Sequence, residues 1–451
     1  REMFPEMEIR QCGDMQEPME LLELPGISLD YFLRGLAGEA YQDNAVFQEL
    51  YSWYLQSPEY RILVKNLTEA SFSERPSDKI GKTVAKILYG EISPYSATRL
   101  ERFAACAFAH FLQYGLKVTE RAEYEFRAMD MGNVMHMALE KFAAEVRKEG
   151  LDWAELTEEE RNRIIDSCLD QVSADYGNTI LKSSARNEYM IERTRRILRR
   201  TVWALQEQLK HGAFRPEGFE VRFQGGRIDR VDIMEEPENN RVYVKVIDYK
   251  TGNTSFDLLA LYHGLQLQLM VYLDGALQVE KRKYPDREIV PAGVFYYNVK
   301  DPMIQEKIHA DMESINEQML KKMKMNGLVQ ADDNMSTKID STMASIPVSL
   351  NRDGSFSKRS SVASRKQFDA LGAYVRRKIC DIRESILDGN AAVEPYELGK
   401  KNACTYCPYL TVCGFDRKIP GYEFHRMSSI GEDALWKKIM KGEEENGSEM
   451  D

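Results

Sequence analysis

The sequence predicts a mixed α/β fold in which one sheet, mostly antiparallel, sits among helices. Three observations predict it. Up to about residue 212, apolar residues recur at intervals of three and four, the spacing of one-sided helices. From Phe219 to Lys250 the period drops to two in three successive runs, separated by turn residues. A further helical stretch and a fourth β-like run follow, giving the order helix, three strands, helix, strand.

At roughly 150 residues per domain, the 451 residues leave room for two to four domains. A hydrophobic fraction of 43% and a charged fraction of 29% exclude collagen-like, fully disordered and membrane-embedded classes. No stretch approaches the ~18 uninterrupted apolar residues of a membrane span, so no membrane partner is expected. The net charge of −11 argues against coating nucleic acid by bulk attraction. Screening over about 10 Å still leaves room for a local basic strip. The chain opens Arg-Glu-Met-Phe-Pro-Glu, with neither an initiator Met nor an apolar leader, and is expected to be part of a larger protein.

Residues 1–92 alternate amphipathic helical stretches with turns and are expected to be a helical remnant of an upstream region. Gly81-Lys82-Thr83 imitates the end of a phosphate-binding loop, but Pro76 stands where that loop needs Gly. Residues 93–130 hold a helix with Leu100, Phe103, Ala107, Phe111 and Tyr114 on one face and Cys106 in its middle. Thr98 and Glu101 have capping-box spacing. Residues 131–300 form the core. It has a helix over 132–147, a basic helix over 187–212, strands over 219–224, 227–234 and 241–250, a helix over 257–277 and a strand over 289–299. Residues 301–425 are an extension in which 327–362 read as loop and 364–387 as helix, leading to clustered cysteines. Residues 426–451, ending KGEEENGSEMD, read as a flexible acidic tail.

The strongest chemical signal is Asp229 on the second strand with Asp248-Tyr249-Lys250 ending the third. Asp248 shares the parity of Val242, Val244 and Val246, and Asp229 that of Val231 and Ile233. Two carboxylates thus emerge from the buried side of one hairpin, a pair that can hold Mg²⁺ through oxygen. Lys250 can orient a water or neutralise developing phosphate charge. Taken alone, these residues also fit a structural ion pair at a strand end. His136 lies on the preceding helix and can ligate a metal through one ring nitrogen. Gln268 and Tyr272 share a helical face with Leu261 and Leu265, so this polar pair looks inward and needs partners. Of seven cysteines, Cys404, Cys407 and Cys413 crowd into ten residues, a metal-site pattern rather than a disulfide framework. Arg195 and Arg199 in the basic helix, with Arg227 and Arg230 beside Asp229, read either as a solvated charged face or as contacts that position a phosphate-bearing ligand. His110, on an aromatic-rich face, reads as packing.

The order His136, Asp229, Asp248-x-Lys250, Gln268-x-x-x-Tyr272 on helix, strand, strand, helix resembles the PD-(D/E)XK nucleases of the RecB type. Cys404-x2-Cys407-x5-Cys413, with Cys106 about 300 residues upstream, resembles the four-cysteine iron–sulfur staple of these nucleases. The segments SATRLERFAACAFAHFLQYGL, GNVMHMALEKF and CTYCPYLTVCGFD are similar to the B subunit of bacterial AddAB (RexAB) helicase–nucleases, over about Ser93 to Asp416. Two features depart from that family. Ala107 follows Cys106 where the family usually has Pro, and the large helicase-like region with its ATP site is not seen. The chain is therefore expected to be the carboxy-terminal part of such a subunit.

The resemblance implies a restriction-endonuclease-like core with surrounding helices. It implies Mg²⁺, or Mn²⁺ in its place, on His136, Asp229 and Asp248. Lys250, Gln268 and Tyr272 would act beside the two aspartates in catalysis. It implies a [4Fe–4S] cluster on Cys106, Cys404, Cys407 and Cys413, although spacing alone leaves zinc open. It also implies exonucleolytic hydrolysis of the 5′-ended DNA strand, with duplex end and single strand as substrates. The A subunit would be the heterodimer partner, the compartment the bacterial cytoplasm, and the setting double-strand-break repair by recombination. A rival is a catalytically silent DNA-binding scaffold. The intact acidic pair, Lys250 and Gln268-x-x-x-Tyr272 argue against it.

Overall fold

The period-two runs become strands whose register follows from two tight turns. In the computed structural model, which describes residues 25–36, 45–71, 79–90, 96–120, 128–176, 184–304, 311–419 and 421–447, β1 (Arg215–Phe223), β2 (Gly226–Glu236) and β3 (Arg241–Lys250) form an antiparallel meander. β4 (Glu288–Asn298) then runs parallel to β3. Parallel neighbours need a crossover. It is supplied by α10 (Leu258–Tyr262) and α11 (Gln268–Lys283), the tenth and eleventh α-helices among the described residues. β5 (Asn326–Gln330) and β6 (Val362–Ala363) complete a six-stranded sheet in the order β1 to β6.

Two units are separable, residues 1–77 and 78–451. The first contains α1 (Pro25–Leu36), α2 (Ala45–Gln56) and α3 (Arg61–Ser71), gathered around Phe32, Phe47, Tyr54 and Val64. The second opens with α4 (Lys82–Tyr89), α5 (Ala97–Ala105), the short α6 (Ala107–His110), α7 (Ala128–Lys148), α8 (Glu158–Asp175) and α9 (Ala185–Lys210). After the meander come α12 (Met312–Lys322), α13 (Met335–Ile339), α14 (Arg365–Leu387), α15 (Leu410–Cys413) and α16 (Glu432–Gly447). A small sheet of β7 (Tyr396–Leu398), β8 (Lys401–Asn402) and β9 (His425–Arg426) adjoins the clustered cysteines.

Strand alternation sorts β3 into two cores. Tyr243, Ile247 and Tyr249 pack with Phe142, Leu169 and Leu198 of α7, α8 and α9. Val242, Val244 and Val246 pack with Leu273 of α11, Leu371 of α14 and Trp436 of α16. The sheet is thus covered on both faces, as a mixed sheet with buried faces requires.

Four expectations are corrected. Residues 327–362 are not a plain loop, since β5 and β6 extend the sheet there. Leu328 and Val329 are buried against β4. The helix expected over 257–277 is broken. Asp257 caps α10, and Gly264, at φ +81°, turns the chain where a Cβ would lie 3.3 Å from Ala104. Residues 426–447 are not a free tail, because α16 buries Leu435, Trp436 and Ile439; residues 448–451 lie outside the described residues. Thr98 and Glu101 form no capping box. Ser96 is the N-cap of α5, and the Glu101 carboxylate bonds elsewhere.

A buried charge group lies on the α7–α9 side. Arg230 donates to both carboxylate oxygens of Asp232, at 2.6 and 2.9 Å, and Lys245 Nζ lies 3.0 Å from Asp232. Burial opposes ionisation of Asp232, but the Arg230 and Lys245 charges outweigh it and hold the carboxyl below its usual range. Asp232→Ala leaves two buried cations facing one another and is expected to destabilise the protein by about 3–5 kcal/mol. Denaturant unfolding measures this, and a loss near zero would refute the account.

Candidate active site

The hairpin registers place three carboxylates in one row. Val221 pairs with Ile228 and Phe219 with Arg230, which sets Glu220 opposite Asp229. Arg230 pairs with Ile247, which sets Asp229 opposite Asp248. Glu220 stands in the left-handed region at φ +51°, a strained backbone for a non-glycine residue of the kind that clusters at functional sites. His136 reaches the row from α7, its Nδ1 3.4 Å from Asp229 Oδ2. One ligand atom each from His136, Glu220 and Asp229 lie within 4.8 Å of one another.

On the other side of Asp248 runs a chain of donors and acceptors. Lys250 Nζ lies 2.6 Å from Asp248 Oδ2 and donates to Gln268 Oε1 at 2.6 Å. Gln268 Nε2 donates to the Tyr272 hydroxyl at 2.9 Å. The Tyr249 amide donates to Asp229 Oδ2 at 2.8 Å, locking that carboxylate against the strand end. The structure thus brings together His136, Asp229, Asp248, Lys250, Gln268 and Tyr272. It adds Glu220, which the motif does not contain. The glycine turn at Gly225-Gly226 was the available signal, since counting back from it puts Glu220 across from Asp229.

The electrostatics suit a cation. Burial raises the pKa of both Asp229 and Asp248, and for Asp248 the neighbouring Asp229 charge raises it further. Glu220 is pushed up to about 7 by burial and then by Asp229. Burial lowers the pKa of His136, favouring the neutral imidazole that ligates metals. Asp248 Oδ2 is buried, with the Lys250 ammonium 2.6 Å away. Three crowded carboxylates and one neutral imidazole fit a divalent ion with oxygen-rich ligation.

The arginines divide. Arg227 is half exposed and paired with Glu220 at the edge of the site. Arg230 cannot meet a phosphate. Its position on β2 has the opposite parity to Asp229, so it is 1% exposed, with its guanidinium 5.1 Å from the Trp153 ring centroid. Arg195 bonds Asp170 at 2.6 Å, and Arg199 Nε bonds Asp166 at 2.9 Å, so both guanidinium groups already hold α8 carboxylates.

Cys106 interrupts the helix expected there, standing extended at φ −168° between α5 and α6. Burial raises the pKa of its thiol, and the Phe108 amide beside it donates to the Ala392 carbonyl at 3.0 Å. Arg102 Nη2 lies 3.7 Å from Cys407 Sγ, and the Phe415 amide 3.5 Å from Cys413 Sγ. Cys106, Cys404, Cys407 and Cys413 line one cavity with Phe108 and Tyr409, and none is disulfide-bonded. Among the described residues no three of these sulfurs come within 4.8 Å of one another. His110 is fully buried between the rings of Tyr89, Phe103 and Tyr114, its Nε2 accepting from Arg99 at 3.2 Å, a packing role.

The sheet order and the carboxylate row with its lysine define a nuclease type of fold, and residues 94–414 match the PD-(D/E)XK nuclease superfamily. The chain belongs to that superfamily. Within it, the chain is 38% identical, over 98% of its length, to the B subunit of the ATP-dependent helicase/deoxyribonuclease of Lachnoclostridium phytofermentans. It is 33% identical, over 98% of its length, to the corresponding B subunit of Alkaliphilus metalliredigens, and 33% identical, over 90%, to that of Thermoanaerobacter pseudethanolicus. The matches cover 40%, 41% and 37% of those relatives, so the chain spans about two fifths of their length.

Proposed function

We propose that this chain hydrolyses phosphodiester bonds of DNA with a divalent metal, Mg²⁺ or Mn²⁺ in its place, as the nuclease region of a helicase–nuclease subunit. The observation that carries the reading is the approach of His136, Glu220 and Asp229 within 4.8 Å, beside Asp248 and its Lys250–Gln268 chain. His136, Asp229 and Asp248 would hold the ion, with Glu220 alongside. Such an ion, when bound, polarises the phosphate and acidifies a water. Lys250, pinned between Asp248 and Gln268, presents its ammonium to the attacking water or to the phosphate oxygens. Tyr272 accepts from the Gln268 amide nitrogen, which leaves the amide oxygen facing Lys250.

Supporting the wider reading are the relatives' names, each a B subunit of an ATP-dependent helicase/deoxyribonuclease. The family resemblance extends the proposal to exonucleolytic trimming of the 5′-ended strand, with an A subunit as partner, during recombinational repair of broken DNA in the cytoplasm. No helix among the described residues is long and apolar enough to cross a membrane. The four cysteines carry a [4Fe–4S] cluster in this reading. The same four thiolates could hold a single zinc with bonds of about 2.3 Å, and iron and zinc content per chain distinguishes the two.

Lys250→Ala is expected to lower single-turnover cleavage of linear duplex about 10²-fold or more while Mn²⁺ still binds by calorimetry. An unchanged rate would sink the proposed role. Arg227→Ala is expected to weaken DNA binding evenly across sequences and to lower the salt slope by about one. An unchanged slope would leave Arg227 as no more than the partner of Glu220.

A further inference from the structure

The hydrolytic roles of the carboxylate row leave Glu101 unexplained. Its carboxylate reaches from α5 to the start of α11, where Oε1 accepts the amide of Leu267 at 2.7 Å and that of Gln268 at 2.9 Å. α11 has no cap from its own flanking residues, since Leu267 stands at the N-cap without a side-chain bond. An uncapped helix start leaves its first amides without partners. A carboxylate there satisfies two of them and complements the positive end of the helix. Gln268 is the first residue of α11, so its backbone is held by Glu101 while its side chain holds Lys250 and Tyr272. The next residue on α5, Arg102, reaches Cys407 Sγ, and α5 itself ends at Cys106. One turn of helix therefore supports the lysine on one side and the cysteine site on the other.

We propose that Glu101 is a positioning residue for hydrolysis: it fixes the first turn of α11 so that Gln268 holds the Lys250 ammonium at Asp248, from a helix anchored by the cysteine site. The proposal rests on the nuclease reading above. The lysine ammonium ends a flexible four-carbon stem, so its location is set by its partners. A displacement of about 1 Å in such a group costs about 10²-fold in rate.

The test compares Glu101→Ala, Glu101→Gln, Gln268→Ala and the Glu101→Ala/Gln268→Ala double variant in the intact protein. Three readouts are used: hydrogen exchange at the Leu267 and Gln268 amides, reductive methylation of Lys250 read by mass spectrometry, and single-turnover cleavage at saturating Mg²⁺. Glu101→Ala is expected to speed exchange at both amides and to raise Lys250 methylation. It should lower the chemical rate about 10²-fold with DNA affinity and cluster colour retained. Glu101→Gln keeps the accepting oxygen and is expected to restore slow exchange, with a rate within about tenfold of the parent. In the Gln268→Ala background, Glu101→Ala should cost little more, because the route through Gln268 is already gone. Parental exchange and methylation in Glu101→Ala would overturn the proposal, and so would fully additive losses in the double variant. Should Glu101→Ala not fold, Glu101→Asp, which keeps the charge and shortens the reach, carries the same expectation. The exchange and methylation readouts need no cleavage. A protein without nuclease activity would therefore fail the functional reading while these two still decide the role of Glu101.

Discussion

Asp248→Ala is expected to reduce cleavage of linear duplex DNA by about 10³-fold or more while leaving the fold intact. Asp248 stands at the end of the carboxylate row and is the only member of it that touches Lys250. Its loss removes an oxygen ligand and an anchor of the ammonium together. Stability should not suffer in proportion. Burial and the neighbouring Asp229 charge both disfavour ionised Asp248, so truncation relieves repulsion in the metal-free protein. Lys250 keeps Gln268 as a partner and is not sealed from water. The melting temperature without metal should therefore hold or rise, while Mn²⁺ affinity measured by calorimetry falls. Wild-type cleavage by this variant would remove Asp248 from the reaction. A collapsed melting temperature would mean that the carboxylate is a structural ion pair.

The core of the site was legible because strand periodicity and turn residues together fix which side chains share a face. Asp229 and Asp248 follow the parity of Val231 and Val246, and both valines are buried in the core beneath α11. The same rule, applied one residue further, separates Arg230 from Asp229. Grouping the arginines by nearness in sequence hid that. Glu220 was recoverable from the hairpin count. The irregular register between Pro216 and Gly218, and the left-handed backbone at Glu220, are not visible in composition. Glu101 shows a different limit. Its spacing from Thr98 satisfies a local capping rule, but its partners are amides of α11, far away in the chain. β5, β6 and α16 were missed for a related reason. Their short apolar runs are flanked by polar and acidic residues and are ordered by what they pack against, Leu328 on β4 and Trp436 on α14 and its neighbours.

Cys413→Ala is expected to bleach the protein and loosen its terminal region. Anaerobically purified parent protein should be brown, with about four irons per chain from the ligand set Cys106, Cys404, Cys407 and Cys413. Three of these cysteines belong to one short segment and the fourth caps the C-terminal end of α5, so a cluster held by them would close a loop of about 300 residues around the nuclease core. Closing such a loop constrains the unfolded chain, with an upper estimate on the order of 5 kcal/mol. Other contacts of this segment with the body include the Tyr409 hydroxyl on the Val118 carbonyl at 2.9 Å and the packing of Tyr409 with Ala109 and Leu112. With one thiolate removed, an iron is left open and the closure is lost. Limited proteolysis should then cut near Lys400, Lys401 and Arg417 well before it cuts the parent. Cleavage of DNA should fall as a consequence, since Cys106 caps the helix that carries Glu101, while Mn²⁺ binding at the carboxylate row persists. Full iron content and unchanged proteolysis in Cys413→Ala would exclude Cys413 as a ligand. A colourless parent protein with one zinc per chain would replace the cluster by a zinc staple and leave the carboxylate chemistry untouched.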